Sequence, residues 1–395
     1  IDGLEARIGE FEAGQFSTTT KLSGKTQFVS GFVDFDDVVY DTSKEGLTFS
    51  YSTQWDLNTS FNGRDRLYTR VKTGNFNDGG PFDDTGHGTY LSAAKDSGNT
   101  IKVDKLWYEF PVGDNWKFWV GPEIESYYML ASAPSIYKPV LKGFALGGNG
   151  AAYGSSTSQG VGMAWIQSVS DRSQPRFAVS TNYTAKSGEL ANTGTGGGMF
   201  TDNVNQWMTK VEYGSPRWQV SLAVNQRSCE VSASNSKTCW DGGSYYSTTK
   251  GKNRTGESTG YGLRAYWKPE TTGAIPSVQV GYDWATVDDD AATGSTEATA
   301  AWMVGLTWKD AFIDGNTAGV AFGQRQHATE LVGGGDDGAD DNFIWEVYYD
   351  FKVSDNITVT PAIFGGSDTK DGTCDVSAGA CDDFFGGLVQ TTFKF

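Results

Sequence analysis

With 48 acidic against 31 basic side chains and a net charge of −17, this 395-residue chain has the wrong sign for a nucleic-acid binder, whose surface must offset phosphate. It carries 51 glycines, 13 tryptophans, 18 tyrosines and 23 phenylalanines but only 10 prolines, and its mean hydropathy is −0.42. No run of eighteen apolar residues occurs, which excludes a transmembrane helix but not a transmembrane barrel, because barrel strands alternate lipid-facing and lumen-facing residues.

The chain starts at Ile1 without a leader, the pattern of a processed or trimmed protein. In Asp2 to Gln15, Leu4, Ile8 and Phe11 recur at helical spacing among Glu5, Glu10 and Glu12, so residues 1–15 are expected to form a short helix or the end of a coiled coil. From Phe16 onward the period is two. Sixteen alternating segments follow, at 17–33, 46–57, 65–76, 101–112, 115–123, 158–169, 175–186, 205–214, 217–228, 258–269, 275–287, 298–309, 316–328, 342–352, 356–366 and 383–395. Most match the nine to eleven or so residues that a tilted strand needs to cross a bilayer. One face is apolar or aromatic, as in Phe343, Trp345, Val347, Tyr349 and Phe351, while Glu346, Tyr348 and Asp350 lie opposite.

Short connections such as Gly113-Asp114-Asn115 and Gly214-Ser215-Pro216 alternate with long ones at 77–100, 124–157, 187–204, 229–257, 288–297, 329–341 and 367–382. Turns on one rim and loops on the other predict an all-β fold, a 16-stranded antiparallel transmembrane barrel over 16–395. With an even strand count, both termini and the N-terminal helix fall on the periplasmic rim, and the long loops are extracellular. A propeller would show a repeat of roughly 40 to 50 residues, and none is found.

Charge is unevenly placed. The eight presumed outer loops hold 29 of the 48 acids and 9 of the 31 bases. Asp288, Asp289 and Asp290 and the group Asp336, Asp337, Asp340 and Asp341 are expected to solvate loops, with loop-bound Ca²⁺ or Mg²⁺ as the sharper alternative and otherwise no cofactor. Strand parity points Arg66, Tyr68, Arg70, Lys72, Lys105, Lys117, Arg227, Arg264 and Arg325 into the lumen, since an arginine facing lipid near the midplane costs about 2 to 4 kcal/mol. The 123–157 segment is rich in apolar residues, among them Tyr127, Tyr128, Leu141 and Phe144. It is therefore expected to fold into the barrel and form a constriction, with Glu123, Glu125, Lys138 and Lys142 facing wall bases such as Arg66 and Arg70, or else to pack on a neighbouring subunit.

Cys229 lies near Cys239, and Cys374 near Cys381, each pair in a polar segment. Two short-loop disulfides in an oxidising compartment are expected; pairing between the two loops is the alternative.

The run EAGQFSTTTKLSGKTQF from Glu12 to Phe28, the strand count and the closing TTFKF resemble cyanobacterial outer-membrane porins allied to the OprB-type carbohydrate-selective porins. The resemblance implies a homotrimer in outer-membrane lipid that passes small solutes and inorganic ions. It also implies contact with peptidoglycan-linked polymer through an S-layer-homology domain that this sequence lacks. The expected function is passive diffusion of small hydrophilic solutes and ions; a carbohydrate-selective channel or a membrane-to-wall tether are the alternatives. An enzyme is not expected. A hydrolase would need a nucleophile and a base, and the two histidines, His87 and His327, stand far apart in polar settings.

Overall fold

In a computed structural model the chain is described except for residues 1–18, 36–45, 77–79, 84–87, 149, 155–156, 193–196, 202, 232–236, 240–256, 289–295, 335–342 and 369–381. The expected N-terminal helix, His87, Cys374, Cys381 and most of the aspartate-rich loop positions lie outside the described residues.

Among the described residues eighteen strands follow in order: β1 (Thr20–Phe35), β2 (Thr48–Thr59), β3 (Arg66–Gly74), β4 (Lys102–Val112), β5 (Trp116–Ile124), β6 (Ser158–Ile166), β7 (Arg176–Ala185), β8 (Asn205–Gly214), β9 (Trp218–Arg227), β10 (Cys229–Val231), β11 (Lys237–Cys239), β12 (Ser258–Trp267), β13 (Ser277–Val287), β14 (Thr296–Lys309), β15 (Thr317–Leu331), β16 (Phe343–Lys352), β17 (Ile357–Asp368) and β18 (Asp382–Lys394). Sixteen of them close a single antiparallel barrel, and each corresponds to one of the alternating segments. The first strand seals against the last, from Lys25 opposite Lys394 to Phe35 opposite Phe384, so neither keeps an unpaired edge. Phe28 and Phe393 meet edge-on across this seam, their ring centres 5.4 Å apart.

The pleat sorts the side chains as the alternation requires. Val347 and Phe351 are exposed on the outside of β16, whereas Ile344, Glu346 and Tyr348 are buried on the inside. Exposed Trp116, Phe177, Tyr213, Trp267, Phe312 and Phe351 lie at or beside the short turns, the placement of an interfacial girdle.

The regular alternation is broken at several points. In the long loop joining β9 to β12, β10 and β11 form a small hairpin in which Cys229 stands directly opposite Cys239. On β4, a bulge separates the Arg70/Lys105 pair from the Val71/Val103 pair. Asp104 is the extra residue there, and its carboxylate lies 3.5 Å from Lys105 Nζ and 3.8 Å from Arg70 Nη1.

Candidate functional site

The segment joining β5 to β6 lies against the inner wall, and inward side chains of strand after strand hold its backbone. A 3₁₀ turn at Ser126–Tyr128 starts it. On β7, Asn182 Nδ2 donates to the Ser126 carbonyl at 3.1 Å and Ser180 Oγ accepts from the Ala131 N–H at 2.8 Å. On β8, Lys210 Nζ donates to the Ser132 carbonyl at 3.0 Å while paired with Glu212. On β13, Gln279 accepts from the Ile136 N–H at 3.0 Å. The far end reaches β16. There the buried Glu346 carboxylate accepts the Tyr137 hydroxyl (2.8 Å) and the backbone N–H groups of Val140 (3.2 Å) and Leu141 (2.6 Å).

The segment then doubles back. Arg264 Nε donates to the Leu146 carbonyl at 2.8 Å and is ion-paired with Asp283, which accepts from the Ala152 N–H at 3.3 Å. Asn225 donates to the Ala152 carbonyl at 2.8 Å, and Arg227 to that of Gly154 at 2.6 Å. This return arm runs so close to the wall that a Cβ on Gly281 would lie 1.7 Å from the Gly147 carbonyl oxygen, and one on Gly260 2.6 Å from that of Ala151. Only glycine leaves room there.

The segment joining β3 to β4 also turns inward, which the alternation of strands did not signal. Its Phe76, Phe82, Leu91 and Ala93 are buried with Val29 and Val33 of β1, Phe364 of β17, Phe384 and Leu388 of β18, and Tyr137, Leu141 and Phe144 of the β5–β6 segment. The two segments pair. Leu91 and Leu141 form an antiparallel bridge, with the Ser92 N–H donating to the Val140 carbonyl (2.8 Å) and the Lys142 N–H to the Tyr90 carbonyl (2.7 Å). The sequence signal was present in Phe82, Tyr90 and Leu91, apolar residues set in a Gly/Asp-rich stretch.

Between them the segments cover the inner wall from β6 round to β1. The remaining arc, β2 to β5, meets them through Glu125, Tyr128, Met129 and Lys95 among others, and it carries the charge. Arg66 Nε is 3.1 Å from Glu109, which is also 2.9 Å from Lys117 Nζ. Arg70 Nε is 3.0 Å from Asp56, and the Tyr68 hydroxyl donates to the same carboxylate. Asp104 gathers Arg70, Lys95 (3.4 Å) and Lys105. The guanidinium groups lie over rings: Arg66 over Tyr68 (5.1 Å to the centroid) and Arg70 over Tyr128 (6.0 Å). Tyr68, Trp107 and Tyr128 pack as one row of tilted rings, with centroid separations of 4.3 and 4.9 Å.

The predicted residues thus divide into two groups. Arg66, Tyr68, Arg70, Lys72, Lys105 and Lys117 share the β3–β5 arc with Glu125, whose carboxylate is 3.5 Å from Lys105 Nζ. Arg227, Arg264 and Arg325 face inward too, but all three are buried, and the first two are anchors that hold the β5–β6 segment. The expected partners of the wall bases need correction. Arg66 and Arg70 meet the carboxylates of Glu109, Asp56 and Asp104, which belong to β4 and β2 and not to the β5–β6 segment. Glu123 ends β5 within electrostatic reach of Lys105, Lys138 is exposed, and Lys142 sits at the pairing with the β3–β4 segment. Among the described residues, no group of three or more His, Cys, Asp or Glu side chains is arranged to hold a metal. His327 is buried, with Nδ1 2.8 Å from the Arg325 carbonyl oxygen.

The fold is that of solved porins. It is similar to OprB of Pseudomonas putida (TM-score 0.59, 11% identity, 98% of this chain and 97% of that one) and to OmpF of Salmonella typhi (TM-score 0.57, 12% identity, 95% and 97%). A Rhodopseudomonas blastica porin variant superposes with a TM-score of 0.52 at 11% identity over 95% of this chain and all of that one. Among curated proteins, an uncharacterized protein of Nostoc sp. is 25% identical over all of this chain and 68% of its own length. An uncharacterized protein of Synechocystis sp. is 26% identical over 92% of this chain and 68% of its own length. The family model described as "Carbohydrate-selective porin, OprB family" matches residues 1–395, so the chain belongs to the OprB family and is an outer-membrane porin, a channel and not an enzyme.

Proposed function

We infer that this porin conducts small hydrophilic solutes and inorganic ions passively through a constriction between the charged β2–β5 arc and the two inward segments. The observation that carries this reading is the joint lining of the wall: the β5–β6 and β3–β4 segments, bridged at Leu91 and Leu141, fill the side of the barrel opposite Arg66, Arg70 and Glu109. What remains open is bounded by fixed charge of both signs, which orders water and screens solutes by size and field. In this reading Arg66, Arg70, Lys72 and Lys117 line the narrow region. The turns and both termini face the periplasm, and the protein works as a homotrimer. Cys229 and Cys239 form a disulfide that closes the β10–β11 hairpin.

Carbohydrate selectivity is the second reading, favoured by the family's description. Liposome swelling decides between the two. Rates that fall with solute size alike for sugars, amino acids and polyols support the general pore; hexose rates well above those of other solutes of the same size support the selective one. Absence of swelling with every solute overturns both.

A further inference from the structure

We propose that Tyr128 is a positioning residue of the pore, coupling the inward β5–β6 segment to the Arg70 guanidinium and so fixing where that charge stands in the narrow region. This role rests on the pore reading above and deepens it, naming a contact through which the segment acts on ion passage. Arg70 lies on β3 with its side chain 19% exposed. Asp56 of β2 takes its Nε at 3.0 Å, and Asp104 of β4 lies 3.8 Å from its Nη1. Both carboxylates belong to the barrel wall. The Tyr128 hydroxyl oxygen accepts from the same Nη1 at 3.2 Å, and it belongs to the segment. The guanidinium carbon is 5.5 Å from the Tyr68 centroid and 6.0 Å from that of Tyr128, so the cation faces one ring of the wall and one of the segment.

The tyrosine is itself held by contacts that do not involve the arginine. Its ring lies 4.9 Å from Trp107 and 4.7 Å from Tyr127, packed against the buried cluster of Trp107, Trp119, Ile124 and Met129. Asn182 Nδ2 lies 3.1 Å from the Ser126 carbonyl oxygen and 3.4 Å from that of Met129, which clamps the backbone on either side of it. Tyr128 can therefore act on Arg70 as a fixed support. Two contacts from different directions orient a planar guanidinium on its long stem, where one leaves it free to swing. Without the hydroxyl, Nη1 keeps the 3.8 Å approach to Asp104, and the head is released toward lumen water. The field in the narrow region then changes although no charge has been added or removed.

The test is a double-mutant cycle read as the reversal potential of the full chain in planar bilayers under a KCl gradient, for the wild type, Tyr128→Phe, Arg70→Gln and the pair. Tyr128→Phe keeps the ring on Trp107, so step size should stay near that of the wild type. The chloride-to-potassium permeability ratio should rise by about twofold or more. In the Arg70→Gln background the same substitution should leave the ratio unchanged, because the group it positions is gone. An equal shift in both backgrounds overturns the positioning role and leaves Tyr128 acting through packing alone. An unshifted ratio in Tyr128→Phe overturns it as well. Absence of steps in the wild type overturns the pore reading beneath it. Should Arg70→Gln fail to fold, as judged by heat-modifiable migration, Arg70→Lys takes its place. Lysine keeps the charge but lacks the forked donors, so Tyr128→Phe should shift the ratio less there than in the wild type; a shift of the same size overturns the role.

Discussion

Glu346 on β16 accepts the hydroxyl of Tyr137, 209 residues away in sequence, at 2.8 Å, and the same carboxylate takes the backbone N–H of Leu141 at 2.6 Å. It fixes the point where the β5–β6 segment turns back. Glu346→Ala removes the acceptor of three buried donors, at about 2 kcal/mol or more for the latch. Single-channel records should show larger and noisier steps than wild type, with the barrel still closed. Tyr137→Phe, which removes one of the three donors, should show a smaller effect in the same direction. Steps of wild-type size and noise in Glu346→Ala would remove the latch role.

The seam between the two inward segments gives a second prediction. Leu91 is 1% exposed and bridges Leu141. Leu91→Asp places a carboxylate in that apolar cluster, a cost of several kcal/mol, of order 3 or more, that undocking of the β3–β4 segment relieves. Conductance should rise, and protease cleavage within 80–98 should become faster than in the wild type. Equal cleavage rates would show that this segment docks without the leucine contact.

Gly281 allows a third. A Cβ there would lie 1.7 Å from the Gly147 carbonyl oxygen, backbone that cannot swing away as a side chain can. Gly281→Ala should displace the return arm and weaken the Arg264 hydrogen bond to Leu146. The readout is altered conductance with unchanged heat-modifiable migration, and wild-type conductance would contradict the close approach.

Much of this was legible in the sequence because a strand writes its orientation at period two. All sixteen barrel strands, and the shared face of Arg66, Tyr68, Arg70 and Lys72, follow from alternation alone. Three things were not legible. Asp104 breaks parity at a bulge, so no regular alternation could aim it at Arg70. Phe82 and Leu91 sit among glycines and aspartates that resemble a solvated loop. Glu346 reads as one more polar lumen residue, since its partners lie more than 200 positions away and no local pattern couples them.

The turn before β3 supplies a pH prediction. Burial raises the Asp65 carboxyl pKa. Hydrogen bonds from the Tyr108 hydroxyl, the Asn62 N–H, the Ser60 hydroxyl and the Phe61 N–H outweigh that and hold it well below the usual carboxylate range. A depressed folded-state value means the contribution is fully present above about pH 4, the unfolded value, and is lost as pH falls through the folded one. Thermal unfolding of the wild type should therefore show no loss from this group between pH 7 and about pH 4. Asp65→Asn should lower the midpoint at pH 7, with the gap to wild type closing only in stronger acid. A gap that closes above pH 5 would contradict the hydrogen-bond count.

The bulge on β4 separates two properties of this wall that usually change together. Without Asp104, Lys105, Val103 and Lys102 would continue the pairing with Arg70, Val71 and Lys72 in regular register, so the barrel's construction does not depend on the inserted residue. A single in-frame codon lost or gained there changes the charge beside Arg70, Lys95 and Lys105 by one unit and leaves the membrane-facing pattern untouched. Lineages descended from such a chain could retune which ions pass without rebuilding the wall that holds them.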